Sequence, residues 1–221
     1  MKKAWLHSVT KMMPCFLRIF LLAGYLLPAT GLFAQNSNWE YRFLRQLEAK
    51  RTEAGNRFNK NLSAANDWIC AGVPTVLFTA GVLKRNPEMK KQGLMIGGSL
   101  VLSSILTKGL KWTIDRPRPA EKDSSFTAVL FKKGHSFPSG HSSLSFSMAT
   151  SLSLQFRRWY IVVPAFGYAC LVSWSRLSLG VHYPTDVLAG AITGAGSAWL
   201  TERGNHWLQK RKSKKTELLQ Y

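Results

Sequence analysis

The sequence predicts an all-α fold, a multi-pass membrane helical bundle preceded by an N-terminal signal sequence or signal anchor. Three observations lead there. Apolar runs recur along the chain from Ile19 to Leu200. Short basic clusters separate several of them, the pattern that marks cytoplasmic loops. Small residues gather at Gly97, Gly98, Ser99, Ser103 and Ser104, where membrane helices can approach one another closely. At 221 residues the chain has room for one large core or one such bundle.

Lys2, Lys3, Lys11 and Arg18 precede the apolar run Ile19 to Ala34, so residues 1–34 read as a signal peptide or signal anchor. Leu32 is a poor small-residue match for cleavage after Ala34; cleaved or not, the segment delivers Gln35 across the membrane. In residues 35–65, Trp39, Phe43, Leu47, Ala54 and Phe58 form one apolar stripe among charges. That is an amphipathic helix, lying at the membrane surface or packing on the bundle. Asn61 to Asp67 breaks its pattern.

The bundle itself is expected over residues 66–202. Trp68 to Leu83 carries Pro74 and reads as a short, kinked span. A basic segment follows with Lys84, Arg85, Lys90 and Lys91, then a second span from Gly93 to Leu106. Pro117 and Pro119 stop that helix from continuing through Arg118. Arg116 to Phe137 is a polar loop whose apolar patch, Phe126 to Phe131, is placed to dip into lipid or to cover a site. His141 to Phe156 is apolar but serine-rich, which suits the bundle interior better than lipid contact. Arg157 and Arg158 precede the run Tyr160 to Trp174, and Val187 to Leu200 is the last. Residues 203–221 form a basic cytoplasmic tail.

Threading these spans from a cytoplasmic start puts both basic loops and the tail inside. Against this, the mean hydropathy of −0.07 is low for a polytopic protein, and several runs are short for a hydrocarbon core of about 30 Å. A soluble helical bundle behind a cleaved signal peptide is the competing reading.

The formal charge is +19. The basic residues sit in short clusters between apolar segments, with no aromatic-interleaved stripe for base stacking, so membrane lipids rather than nucleic acid are the expected partner. Cys15, Cys70 and Cys170 all lie inside apolar segments, an odd set that argues for packing rather than a disulfide framework or a metal site.

The chemistry gathers at three places. In Val172 to Asp186, Arg176 stands six positions before His182 and Asp186 four positions after it. A helix starting at Pro184 brings Asp186 into its first turn, pointing back at His182. A histidine held by a carboxylate keeps one tautomer and is a candidate nucleophile; the plainer alternative is a helix-capping Asp beside an exposed His. Pro138-Ser139-Gly140-His141 opens an apolar run, so that glycine and a helix N-terminus can present N–H groups to an anion. Lys111 lies seven positions before Arg118. Together Lys111, Arg118, Arg176 and the Ser139 hydroxyl describe a cage for a phosphate-like oxyanion, with one histidine to attack and another to protonate the leaving group.

At these residues the chain resembles the type 2 phosphatidic acid phosphatase superfamily, which also includes vanadium-dependent haloperoxidases. Its three signature segments match as Lys111 through Arg118-Pro119, Pro138-Ser139-Gly140-His141, and Ser175-Arg176 through His182 to Asp186, about a third of the chain. The resemblance implies a hydrolase in which Lys111, Arg118 and Arg176 bind the nonbridging oxygens, with Ser139 and the Gly140 N–H completing the cradle. It implies that His182, braced by Asp186, forms a phosphohistidine, and that His141 serves as acid and then base. No cofactor or metal is expected, since the surrounding cations repel a divalent ion. The expected substrate is a lipid phosphate or diphosphate, met at the extracytoplasmic face of the inner membrane. A vanadate-dependent oxidoreductase and a non-enzymatic basic scaffold on anionic lipids are the alternatives. Phosphatidic acid, phosphatidylglycerophosphate, an isoprenoid diphosphate and a lipid A phosphate all fit the site chemistry, and the sequence leaves the oligomeric state open.

Overall fold

A computed structural model describes residues 38–218. The signal sequence or anchor expected over residues 1–34 lies outside the described residues. Among those residues there are helices and no strands: α1 (Asn38–Ala49), α2 (Glu53–Leu83), α3 (Pro87–Ile114), the single turn α4 (Pro119–Lys122), α5 (Gly140–Phe156), α6 (Trp159–Ser178) and α7 (Pro184–Leu218).

The amphipathic helix expected from Trp39 to Phe58 is two helices. Thr52 adopts an extended backbone and its hydroxyl accepts from the Gly55 N–H at 3.1 Å, so a new helix starts there. Conversely, α2 runs unbroken through Asn61 to Asp67, where the sequence suggests a break, and across residue 65, where a boundary was expected. The cause is that Asn59, Ser63 and Asn66 are buried: the inward face of α2 is polar there because of what it faces. Apolar periodicity presumes an apolar interior.

Among the described residues, three helices, α2, α3 and α6, are long and apolar enough to cross a membrane. Their outward side chains include Val76, Leu94, Val101, Ile105, Val163 and Leu171, all exposed. The shorter α5 has the opposite pattern. Its buried residues include Ser142, Ser143, Ser145, Ser147 and Ser151, and it packs against α3, α6 and α7 as the central helix. Ser103 and Ser143 share a hydrogen bond at 2.6 Å, Thr107 donates to Ser143 at 2.9 Å and Ser147 to Ser99 at 3.3 Å. Those pairings run α3 and α5 antiparallel. Gly190 and Gly194 seat α7 directly on α5: a Cβ at Gly194 would stand 2.0 Å from the Ser143 carbonyl oxygen, and one at Gly190 2.5 Å from that of Ser139.

Both basic turns, Lys84 to Asn86 and Arg157 to Arg158, therefore sit at one end of the bundle. The C-terminal ends of α3 and α6 and the N-terminal ends of α5 and α7 meet at the other. Phe126 neither dips into lipid nor lies open over a site. It is buried with Leu44 of α1 and with Tyr183, and Arg45 and Arg51 flank its ring. Phe131 is exposed. The last helix continues through much of the expected tail, ending at Leu218.

Candidate active site

The site grows from the turn between α6 and α7. Gly180 has φ +73°, a left-handed conformation, and a Cβ there would come within 2.8 Å of Arg51 and of the Phe126 ring. This tight turn delivers His182 just ahead of Pro184, whose fixed φ starts α7. Asp186 then falls in the first turn, and its Oδ2 accepts the Tyr183 N–H at 2.8 Å. The same oxygen lies 3.5 Å from His182 Nδ1 and accepts the Ser136 hydroxyl at 2.5 Å. Asp186 Oδ1 pairs with Arg116 at 2.7 Å. Both His182 and Asp186 are buried.

With Nδ1 facing a carboxylate, the His182 proton belongs on Nδ1 and the lone pair on Nε2. Nε2 faces Arg118 Nη1 at 3.4 Å. Burial pushes the His182 imidazole down to about 3, against the pull of Asp186, so the ring is neutral at ordinary pH. Burial alone would raise the Asp186 carboxyl. Hydrogen bonds from His182 and Ser136 and the charge of Arg116 outweigh burial and hold it below the usual carboxylate range.

Around this pair stand the three expected cations. Arg118 donates to the Val181 carbonyl at 2.8 Å, and its Nε is buried with no hydrogen-bond partner. Arg176 is 1% exposed and bonded to the Ser63 hydroxyl, and its Nε is likewise buried and unpartnered. Lys111, in the last turn of α3, donates to the His135 carbonyl at 2.8 Å. An orphaned guanidinium N–H in a buried site is costly unless an anion completes it.

The N-terminus of α5 enters the same neighbourhood. The Ser139 N–H donates to the Asp186 carbonyl at 2.9 Å, tying the start of α5 to the start of α7. The Ser139 hydroxyl accepts from Ser142 at 3.1 Å and makes no capping bond, so its own hydrogen remains available to donate. Gly140 opens the helix, but a Cβ there would only touch Thr107 at 3.9 Å, so packing within the chain does not demand glycine. His141 follows Gly140 in the first turn of α5, and the charge of Arg176 acts on both His141 and His182.

His182, Asp186 and Arg118 are thus in direct contact. Lys111 reaches the loop segment that Arg118 also touches, and Ser139 is bonded to the backbone of Asp186. Arg176 is seated on Ser63, and its charge reaches His141. The rings of His135 and His206 are instead paired with Asp115 and Glu202, although the His135 carbonyl accepts from Lys111 and Arg118. Among the described residues no group of three His, Cys, Asp or Glu side chains is arranged to hold a metal ion.

Three participants escape sequence reasoning. Arg116 bridges Asp186 to Glu40 of α1, 2.6 Å away. Ser136 fastens Asp186 from the loop before α5. Ser63 turns a polar position of α2 into the seat of Arg176. The charged one nearest a signature, Arg116, has a visible signal, a second arginine in a proline-flanked stretch two positions before Arg118.

A family model described as the PAP2 superfamily matches residues 92–210. The lipid A 4'-phosphatase of Bacteroides thetaiotaomicron is 33% identical over 97 residues, 41% of this chain and 43% of that protein. An undecaprenyl-diphosphatase of Sulfolobus acidocaldarius is 32% identical over 114 residues, 51% of this chain and 54% of that protein. The chain thus spans about half the length of these curated relatives. Among solved structures, a transmembrane PAP2-type phosphatidylglycerolphosphate phosphatase from Bacillus subtilis superposes with a TM-score of 0.70 at 20% identity, over 88% of this chain and 96% of that one. At that identity it attests the fold.

Proposed function

The chain belongs to the PAP2 superfamily, and on that premise we propose that it is a membrane phosphatase that hydrolyses a lipid phosphate or lipid diphosphate through a phosphohistidine, without a metal. One observation carries the reading. The free nitrogen of His182 faces a cation, its other nitrogen faces a buried carboxylate, and two guanidinium Nε groups nearby have no protein acceptor.

A phosphate ester resists attack because its oxygens repel nucleophiles and its alkoxide leaves poorly. Lys111, Arg118 and Arg176 bind the nonbridging oxygens, joined by the Ser139 hydroxyl and the Gly140 N–H. His182 Nε2 attacks phosphorus in line. The P–O bond to the lipid breaks as His141 gives its proton to the departing oxygen. Asp186 stabilises the imidazolium, its partner on Nδ1. His141 then takes a proton from water, whose oxygen displaces phosphate from nitrogen and restores neutral His182.

The apolar belt on α2, α3 and α6 around this site suits an amphiphile. The relatives' names give two classes, lipid A phosphates and undecaprenyl diphosphate, and phosphatidic acid and phosphatidylglycerophosphate share the same head-group chemistry. The site opens at the extracytoplasmic face of the inner membrane, because the basic turns lie at the opposite end of the bundle.

The test is phosphate release by the purified full chain in detergent, across those four lipid classes with excess chelator. Release from at least one class, lost in His182→Ala, is expected. Activity abolished by chelator and restored by a divalent ion would refute metal independence.

A further inference from the structure

The helix ahead of the family-matched region reaches the back of the site. Glu40 of α1 is 1% exposed and 76 residues from Arg116 in the chain. Its Oε2 accepts from Arg116 Nη2 at 2.6 Å. Its Oε1 accepts from the Thr185 N–H at 3.1 Å and from the Thr185 hydroxyl at 2.6 Å. Glu40 therefore caps the first turn of α7 from another helix and grips Arg116 with the same carboxylate. Arg116 passes the contact on, with Nη1 on Asp186 Oδ1 at 2.7 Å and on the Thr185 hydroxyl at 2.8 Å. Its guanidinium lies over the Tyr183 ring at 3.9 Å, and the Tyr183 hydroxyl meets that of Tyr41, the neighbour of Glu40, at 2.8 Å.

We propose that Glu40 is a positioning residue for His182, acting through Arg116 and Asp186. The inference rests on the assignment of His182 as nucleophile. Arg116 against Asp186 would, alone, draw that carboxylate's negative potential away from the imidazole. Glu40 on the far side of Arg116 offsets the guanidinium charge, which leaves the Asp186 charge directed at His182 Nδ1. The Nε2 lone pair is then more basic, and the cationic phosphohistidine is stabilised. The Thr185 bonds hold the turn that aims Asp186.

The relay lies behind His182, away from the cage, so its loss slows chemistry and spares binding. The experiment compares the full chain in detergent with Glu40→Gln, Arg116→Gln and the double variant, on whichever lipid phosphate the parent hydrolyses. Thermal unfolding is followed in parallel. Glu40→Gln keeps the shape and loses the charge. Its kcat falls about tenfold, the size of a one-unit loss of imidazole basicity, with KM within about twofold. In the Arg116→Gln background the same change costs under about twofold in kcat, since the charge acts through Arg116.

A kcat for Glu40→Gln within about twofold of the parent's, a KM rising in step with the loss, or losses that multiply in the double variant would overturn the relay. Should Glu40→Gln alone fold poorly, the two chains carrying Arg116→Gln decide. Added Glu40→Gln that raises their stability at unchanged kcat supports the relay, and a further fall in kcat overturns it. His182→Ala is the control for the underlying reading. Full activity in that variant, or an inactive parent, removes the nucleophile assignment and the relay with it. A dead His182→Ala beside an unaltered Glu40→Gln removes the relay alone.

Discussion

Two buried clusters of charge flank His182, and they are wired in opposite ways. Behind it, Glu40, Arg116 and Asp186 satisfy one another, with Thr185, Ser136 and the Tyr183 N–H taking the remaining positions. In front of it, Arg118 and Arg176 each keep a buried Nε without a partner. Both regions are desolvated, so neither arrangement is incidental. Charges that close on one another hold a fold, whereas charges left open are held by the fold for something else.

The contrast is broken most visibly by exchanging one arginine on each side. Arg176→Met removes a donor from the open cluster and lowers kcat by about 10²–10³-fold, while thermal unfolding in detergent stays at or above the parent's. Arg116→Met removes the hub of the closed cluster and strands two buried carboxylates. It costs about 3–5 kcal/mol of stability, measured as a drop in unfolding temperature. Equal destabilisation by both substitutions would erase the distinction drawn between the clusters.

A smaller effect tests the scaffold that sets the clusters apart. A Cβ on Gly194 would meet the Ser143 carbonyl oxygen at 2.0 Å, a backbone atom that cannot swing away. Gly194→Ala should separate the starts of α5 and α7, destabilise by about 1–3 kcal/mol and lower activity in proportion. An unaltered unfolding temperature would mean that the two helices tolerate separation.

The mildest probe is pH. The His182 pKa in the folded protein, about 3, lies below its ordinary value, so between the two values the unfolded chain binds more protons. Stability is complete above the ordinary histidine range and is lost as pH falls toward 3. Asp186, also held low, contributes in the same direction, its share being lost as pH falls through its folded value. An unfolding temperature that rises on acidification from neutral pH would contradict both assignments.

How much of this is legible in the sequence follows the same division. The open cluster is legible because each of its members stands at a fixed spacing from a helix end or a proline. Arg118 stands between Pro117 and Pro119, His141 follows Gly140, and Lys111 and Arg176 lie in the last turns of α3 and α6. The closed cluster is mostly illegible. Glu40 meets Thr185 across 145 residues, and nothing near Glu40 in the chain distinguishes it from an acid on the wet side of an amphipathic helix. The helix limits are obscured in the sequence for a related reason. Asn59, Ser63 and Asn66 interrupt an apolar pattern only if the interior is apolar, and α2 faces polar groups there. Thr52, by contrast, is an N-cap residue type masked by apolar spacing that carries across it. Phe126 shows the limit from the other side, since an apolar patch in a polar loop names burial without naming the cover, here Leu44 and Tyr183.

The most direct test is to quench the protein in mid-turnover and locate any phosphoryl group by peptide mass. The account predicts a single phosphoryl group on His182, absent from His182→Ala. Turnover with His182 unmodified, or with the phosphoryl group on another side chain, would contradict the account.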